Sequence, residues 1–229
     1  MLYDASRAGN ASEDLFRVDW WRTRASVEAT HGGRGRAVFI EGPERSWVLR
    51  HYARGGSVAK VLDDRYLWTG EPRTRPFREW RLLHDLHASG LPVPAPVAAR
   101  YQRAGVFYRG DLITERIAGG RPLSALLAEP GGVAGEAWRS LGACVRRFHD
   151  EGVFHADLNA HNLLLDAEGR VYVVDFDRGE RRAPGAWREA NVARLRRSLE
   201  KIQRTLPAAH FGEDQWHTFL EAYAAAPPR

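Results

Sequence analysis

Lysine is almost missing from this chain. Of its 34 basic residues only two, Lys60 and Lys201, are lysines, and the rest are arginines. Cysteine is reduced to Cys144, so no intramolecular disulfide can form and the chain suits a reducing compartment. A lone cysteine reads first as a small buried hydrophobe. No apolar run approaches the roughly 18 residues that a membrane-spanning helix requires. The N-terminal MLYDASRAGNASEDLF lacks the basic start and apolar centre of a signal peptide. The expected location is therefore the cytoplasm or the cytoplasmic face of a membrane. Internal repeats and low-complexity linkers are absent. So are zinc-type Cys/His spacings and the signature of an RNA-binding sheet, so no nucleic-acid partner is expected. Nothing in the sequence calls for an obligate protein partner.

What is present is enough for a substantial core. Hydrophobic residues make up 44% of 229 positions, with eight tryptophans, which argues against global disorder. The length fits one globular unit or two small lobes around a cleft. The formal net charge is +5 and the pI about 9.7. Arginine suits bidentate contacts to phosphate or carboxylate, although a GC-rich genome would also enrich its codons.

Along the chain, residues 1–24 read as an N-terminal extension with a short helix near Trp20 and Trp21. Residues 25–117 read as a β-rich part. SVEAT, RAVFI and SWVLRHY alternate like strands around the turns HGGRG and EGPER. RPFREWRLLHDLHASG then carries Phe77, Trp80, Leu83 and Leu86 at helical spacing and stops at Gly90. VFYRGDLITERI gives one or two further strands. Residues 118–229 read as a helical part, beginning with PLSALLAE and EAWRSLGACVRRFHDEG and ending with AWREANVARLRRSLEKIQRTL and EDQWHTFLEAYAAA. The fold class expected is α+β.

The chemistry is concentrated in HADLNAHNLLLDAEGRVYVVDFD, from His155 to Asp177. Asn162 follows Asp157 by five positions, and Asp175 ends a short apolar strand thirteen positions later. Asp and Asn also favour turns, so any one of them alone says little. Together, the order and spacing resemble the catalytic core of the protein-kinase-like superfamily, H-R-D-L-x-x-x-N followed by a strand pair and D-F-G. Here Ala156 stands for Arg and Asp177 for Gly. The resemblance implies a two-lobed fold and phosphoryl transfer from ATP, with Asp157 as catalytic base and with Asn162 and Asp175 on Mg²⁺. His155 is expected to pack beneath the loop rather than to react. Upstream, the resemblance implies a phosphate-covering loop at Gly33 and Gly35, a cation at Arg50, with Lys60 as its rival, and Glu79 as that cation's partner. For each of these a plain turn or a solvated surface charge remains the alternative.

LRHYARGG, DRYLW, GLPVPAPVAARY, ADLNAHNLLLD and DFDRG together resemble the 3-deoxy-D-manno-octulosonic acid (Kdo) kinases of the lipopolysaccharide kinase group, from about residue 30 to about residue 205. That resemblance implies phosphorylation of the 4-hydroxyl of a Kdo residue on a lipid A precursor. It implies ATP and Mg²⁺ as cofactors, and peripheral contact with the anionic cytoplasmic face of the bacterial inner membrane. Arg178, Arg181, Arg182, Arg188, Arg194 and Arg197 are candidates for holding the acceptor's anionic groups, or for a merely solvated basic face. Two other readings stay open. A small-molecule kinase of the aminoglycoside or choline type shares the same core, but calls for acidic or aromatic acceptor pockets where this chain offers DRGERR. A non-catalytic pseudokinase is favoured only by Arg50 in place of lysine.

Overall fold

Alternation in SVEA, RAVFIE and SWVLRH produces the strands it predicts, and their pairing sets the architecture of the first part of the chain. The computed structural model describes residues 1–29, 36–53, 64–206 and 210–225. The expected phosphate-loop glycines Gly33 and Gly35, and Lys60, lie outside the described residues.

The first elements in chain order are β1 (Leu2–Tyr3), α1 (Ala5–Ala8), α2 (Val18–Arg22), β2 (Ser26–Ala29), β3 (Arg36–Glu41), β4 (Ser46–His51) and β5 (Tyr66–Leu67). Next come α3 (Arg75–Ala88), β6 (Pro96–Ala104), β7 (Phe107–Glu115), β8 (Arg121–Pro122), α4 (Leu123–Leu126) and α5 (Gly135–Asp150). The last are β9 (Val153–Phe154), β10 (Leu163–Leu165), β11 (Val171–Val173), β12 (Glu180–Arg181), α6 (Trp187–Thr205) and α7 (Glu213–Ala225).

The chain divides into two compact units. The first holds Met1–Asp85 and Pro94–Arg116, and the second holds Leu86–Val93 and Ile117–Arg229. The first unit is an antiparallel sheet in the order β1-β6-β7-β4-β3-β2, with β5 added on β7. Its core gathers Leu15, Phe16, Ile40, Trp47, Leu49, Val97 and Ile113. Residues 1–24 are built into this unit. β1 pairs with β6, Leu15 and Phe16 are buried, and Trp21 packs edge-on against Trp47 at 5.4 Å. The short helical segment Glu13–Phe16 and α2 thus supply side chains to this core, which their sequence separation from the strands hides.

The second unit is helical, with two small antiparallel sheets, β11-β10-β8 and β12-β9. α5 buries Trp138, Leu141, Val145 and Phe148 at the three- and four-residue spacing of one helix face. α7 crosses it closely at Gly142, where a Cβ would run into the Phe219 carbonyl oxygen. Cys144 is buried in this core, and burial pushes its thiol up to about 12, so the inert reading holds. The α+β class with a β-rich first part and a helical second part is the architecture observed. None of the helices is long and apolar enough to cross a membrane among the described residues.

Candidate active site

The loop between β9 and β10 carries His155, Asp157, Asn159 and Asn162, and β11 delivers Asp175 beside it. β10 and β11 pair in register, Leu163 with Val173, so the residues flanking this hairpin are brought together by ordinary strand pairing. Four hydrogen bonds then fix them. The Asp157 N–H donates to His155 Nδ1 at 3.1 Å, and His155 Nε2 meets the Val174 carbonyl at 2.9 Å. With Nδ1 accepting, the ring proton sits on Nε2, which donates. Asn162 Nδ2 donates to the Asp157 carbonyl at 3.0 Å, and the Asn162 carbonyl accepts the Val174 N–H at 3.0 Å. Asp157, Asn162 and the residue before Asp175 therefore belong to one closed hydrogen-bonded ring.

His155 is the buried strut of this ring. It is 4% exposed and packs edge-on to Phe176 at 4.8 Å. Burial lowers its pKa, which keeps the neutral tautomer that both bonds require. Asn159 caps the turn. Its Nδ2 adds a second donor to the Asp157 carbonyl at 2.9 Å, and its Oδ1 accepts the His161 N–H at 2.8 Å.

Asp175 sits at φ 63°, and with Arg178 it is one of the two non-glycine residues at positive φ among the described residues. Such a conformation costs free energy in a residue with a Cβ and persists where the surroundings enforce it, commonly at functional sites. Both backbone groups of the preceding Val174 are hydrogen-bonded to the loop.

Asp157 meets α6. Arg194 forms an ion pair with its Oδ1. Burial pushes the Asp157 carboxyl up, but hydrogen bonds and charge from Arg194, aided by Asn159, outweigh it and hold the group below the ordinary carboxylate range. Asn191, 2% exposed, donates to the His155 carbonyl at 2.9 Å and ties α6 to the loop. Sequence reasoning missed it. The available signal was a polar residue inside the apolar stripe Val192, Leu195, Leu199, Ile202.

The basic cluster expected to grip an acceptor is largely engaged within the protein. Arg181 donates to the Glu151 carbonyl, Arg182 pairs with Glu180, and Arg188 donates to the His149 carbonyl. These contacts fasten β12 and the start of α6, so of the six candidate arginines Arg181, Arg182 and Arg188 are engaged within the protein. Arg178 and Arg197 remain exposed, with no ion pair or hydrogen bond among the described residues.

In the first unit, Arg50 of β4 and Glu79 of α3 form an ion pair. Glu79 is 3% exposed rather than solvated. The Tyr52 hydroxyl, not anticipated, donates to Glu79 Oε2 at 2.5 Å and accepts from Arg50 Nη2 at 3.3 Å. The Arg50 guanidinium also lies 4.8 Å from the Tyr52 ring centre.

A divalent cation suits the donors beside Asp157. Asn162 spends Nδ2 on the Asp157 carbonyl, which leaves its Oδ1 outside that bond, and Asp175 supplies a carboxylate. No group of three or more His, Cys, Asp or Glu that could hold a metal exists among the described residues. One amide and one carboxylate fit Mg²⁺, which keeps waters and shares phosphate oxygens, better than a metal held by protein alone.

The model of the lipopolysaccharide kinase (Kdo/WaaP) family matches residues 18–223. The chain belongs to this family. A protein of Stenotrophomonas maltophilia (strain R551-3) named 3-deoxy-D-manno-octulosonic acid kinase is 47% identical over 204 residues, covering 89% of this chain and 81% of the relative. Proteins of the same name from Xylella fastidiosa (strain M12) and Xanthomonas euvesicatoria pv. vesicatoria (strain 85-10) are 46% and 47% identical, with the same coverage. As a member of the lipopolysaccharide kinase family the chain is a phosphotransferase, and its fold is protein-kinase-like.

Proposed function

We propose that this lipopolysaccharide kinase transfers the γ-phosphoryl group of ATP to the 4-hydroxyl of a Kdo residue on a lipid A precursor, working peripherally at the cytoplasmic face of the inner membrane. The observation that carries the transfer chemistry is the hydrogen-bonded ring joining Asp157, Asn162 and Val174, next to Asp175. The identity of the relatives supports Kdo as the acceptor.

On this reading Asp157 faces the acceptor hydroxyl, orients it and takes its proton. Its depressed pKa keeps it ionised at neutral pH, ready to accept. Asn162 Oδ1 and the Asp175 carboxylate would hold Mg²⁺, which would neutralise charge developing on the phosphoryl oxygens. His155 takes no part in proton transfer; it holds the Asp157 backbone against β11. Arg50, steadied by Glu79 and Tyr52, serves the nucleotide phosphates with a guanidinium fork in place of the usual ammonium. Arg178 and Arg197 are the arginines left to meet the acceptor's carboxylate or phosphates, and the net charge of +5 favours an anionic membrane surface.

The test is mass spectrometry of lipid A core from a bacterium carrying this gene and from a strain lacking it. Loss of one phosphate from Kdo in the deletion strain is expected, with restoration by the wild-type gene. An unchanged phosphate count would overturn the Kdo assignment.

A further inference from the structure

Three side chains on one face of α6 meet three stations of the loop that carries Asp157. Asn191 donates from Nδ2 to the His155 carbonyl at 2.9 Å, and its Oδ1 stands 3.4 Å from His155 N. Arg194 places Nε 3.1 Å from Asp157 Oδ1 and brings Nη2 to the same oxygen. Ser198 Oγ accepts the Ala160 N–H at 3.2 Å. The spacing of three and then four residues is one helical stripe, so the helix reads the loop in order: His155, Asp157, Ala160. The adjoining apolar stripe is buried, which fixes the helix that carries these groups.

The form of the Arg194 contact is informative. A guanidinium that merely neutralised a carboxylate would pair fork to fork, one nitrogen on each oxygen. Here two nitrogens converge on Oδ1, so Oδ2 lies outside the pair. As a contribution to stability such a half-exposed ion pair is worth little. Its consequence lies in the direction and charge of the carboxylate. The position before Asp157, where the superfamily pattern has arginine, is Ala156, so no cation next to Asp157 in sequence supplies this contact.

We propose that Arg194 is a positioning residue for phosphoryl transfer, fixing Asp157 through Oδ1 so that the acceptor hydroxyl is met by Oδ2. This rests on the reading of Asp157 as the group facing that hydroxyl. Arg194 acts through Asp157 and touches neither the nucleotide nor the transferred group.

The test compares Arg194→Gln and Arg194→Lys with the wild type in ATP turnover against Kdo-bearing lipid A across pH. Arg194→Gln removes the cation and the converging fork. Its kcat falls roughly ten- to a hundredfold, and the acid limb of its kcat/KM profile moves to higher pH, with KM for ATP unchanged. Arg194→Lys keeps the charge and loses the fork, so its kcat falls while its acid limb stays nearer the wild-type position. Wild-type kcat and an unmoved limb in Arg194→Gln would overturn the proposal. Should that variant fail to fold, Arg194→Lys decides alone: full wild-type kcat overturns the proposal, and reduced kcat with the limb retained supports it. Asp157→Asn, measured alongside, separates the two readings. Turnover surviving in it would sink the role of Asp157 itself, whereas its loss together with an indifferent Arg194 would sink only the positioning role.

Discussion

Asn191 shows how much a single side chain in this protein depends on tertiary context. Its amide bonds both backbone groups of His155 from inside the apolar face of a helix. Leucine at this position would fill similar space and leave a buried N–H and carbonyl unpaired. Asn191→Leu is expected to cost about 2–3 kcal/mol in urea denaturation and to lower turnover by loosening the loop. That Asp157 and Asn162 meet, with Asp175 next to them, was legible in the sequence because the three flank one short hairpin at close spacing along the chain. Asn191 and Tyr52 were not, because each works through a partner distant in sequence, His155 and Glu79. Arg194 was noticed as a cation, but its partner was hidden. A count of charges on a helix face does not reveal which of them bends back to a carboxylate 37 residues earlier.

At the scale of elements, helices with clear periodicity were legible and two-residue strands were not. α3, α5 and α6 carry apolar residues at the intervals their sequences display. PLSALLAE read as helix from its proline onward. In the structure Arg121 and Pro122 instead pair with Leu165 and Leu164, and the helix starts at Leu123. Two residues hold no period, and proline is tolerated on an edge strand such as this one. The contact between α5 and α7 carries its own prediction. Gly142→Ala would drive a Cβ into backbone at Phe219 and Tyr223, which cannot turn aside as a side chain could. The expected loss is about 1–3 kcal/mol, read as a lower thermal midpoint, even though alanine is intrinsically the better helix former. A midpoint equal to or above the wild type would contradict the close approach of these helices.

At the scale of the whole molecule, two histidines give the two units opposite responses to pH. In the second unit His149 is 1% exposed, bonded to Tyr223 at 2.7 Å, and burial lowers its pKa to about 4. Its contribution is intact above pH 6.5 and falls away as pH drops from there towards 4, a loss of roughly 3 kcal/mol at most. In the first unit His51 is bonded to Asp111 at 2.7 Å, and that bond, opposed by burial and aided by Asp64, raises its pKa. Its contribution is intact below pH 6.5 and is lost as pH rises through the folded value. Hydrogen-exchange protection, corrected for intrinsic rates, should therefore weaken first in α5 and α6 on acidification and in β4 and β7 on alkalinisation. His149→Phe should lose most of the acid sensitivity of α5, and equal acid sensitivity in both proteins would refute the assignment.

The account of the whole enzyme stands on one carboxylate, and the most direct measurement is transfer of labelled γ-phosphate from ATP to Kdo-bearing lipid A by Asp157→Asn. The substitution keeps size and loses the proton acceptor. Transfer is expected to fall about 10²- to 10⁴-fold, with the thermal midpoint and ATP affinity close to wild type. Transfer at the wild-type rate would show that the proton leaves by another route, and the assignment of this loop as the catalytic centre would be wrong.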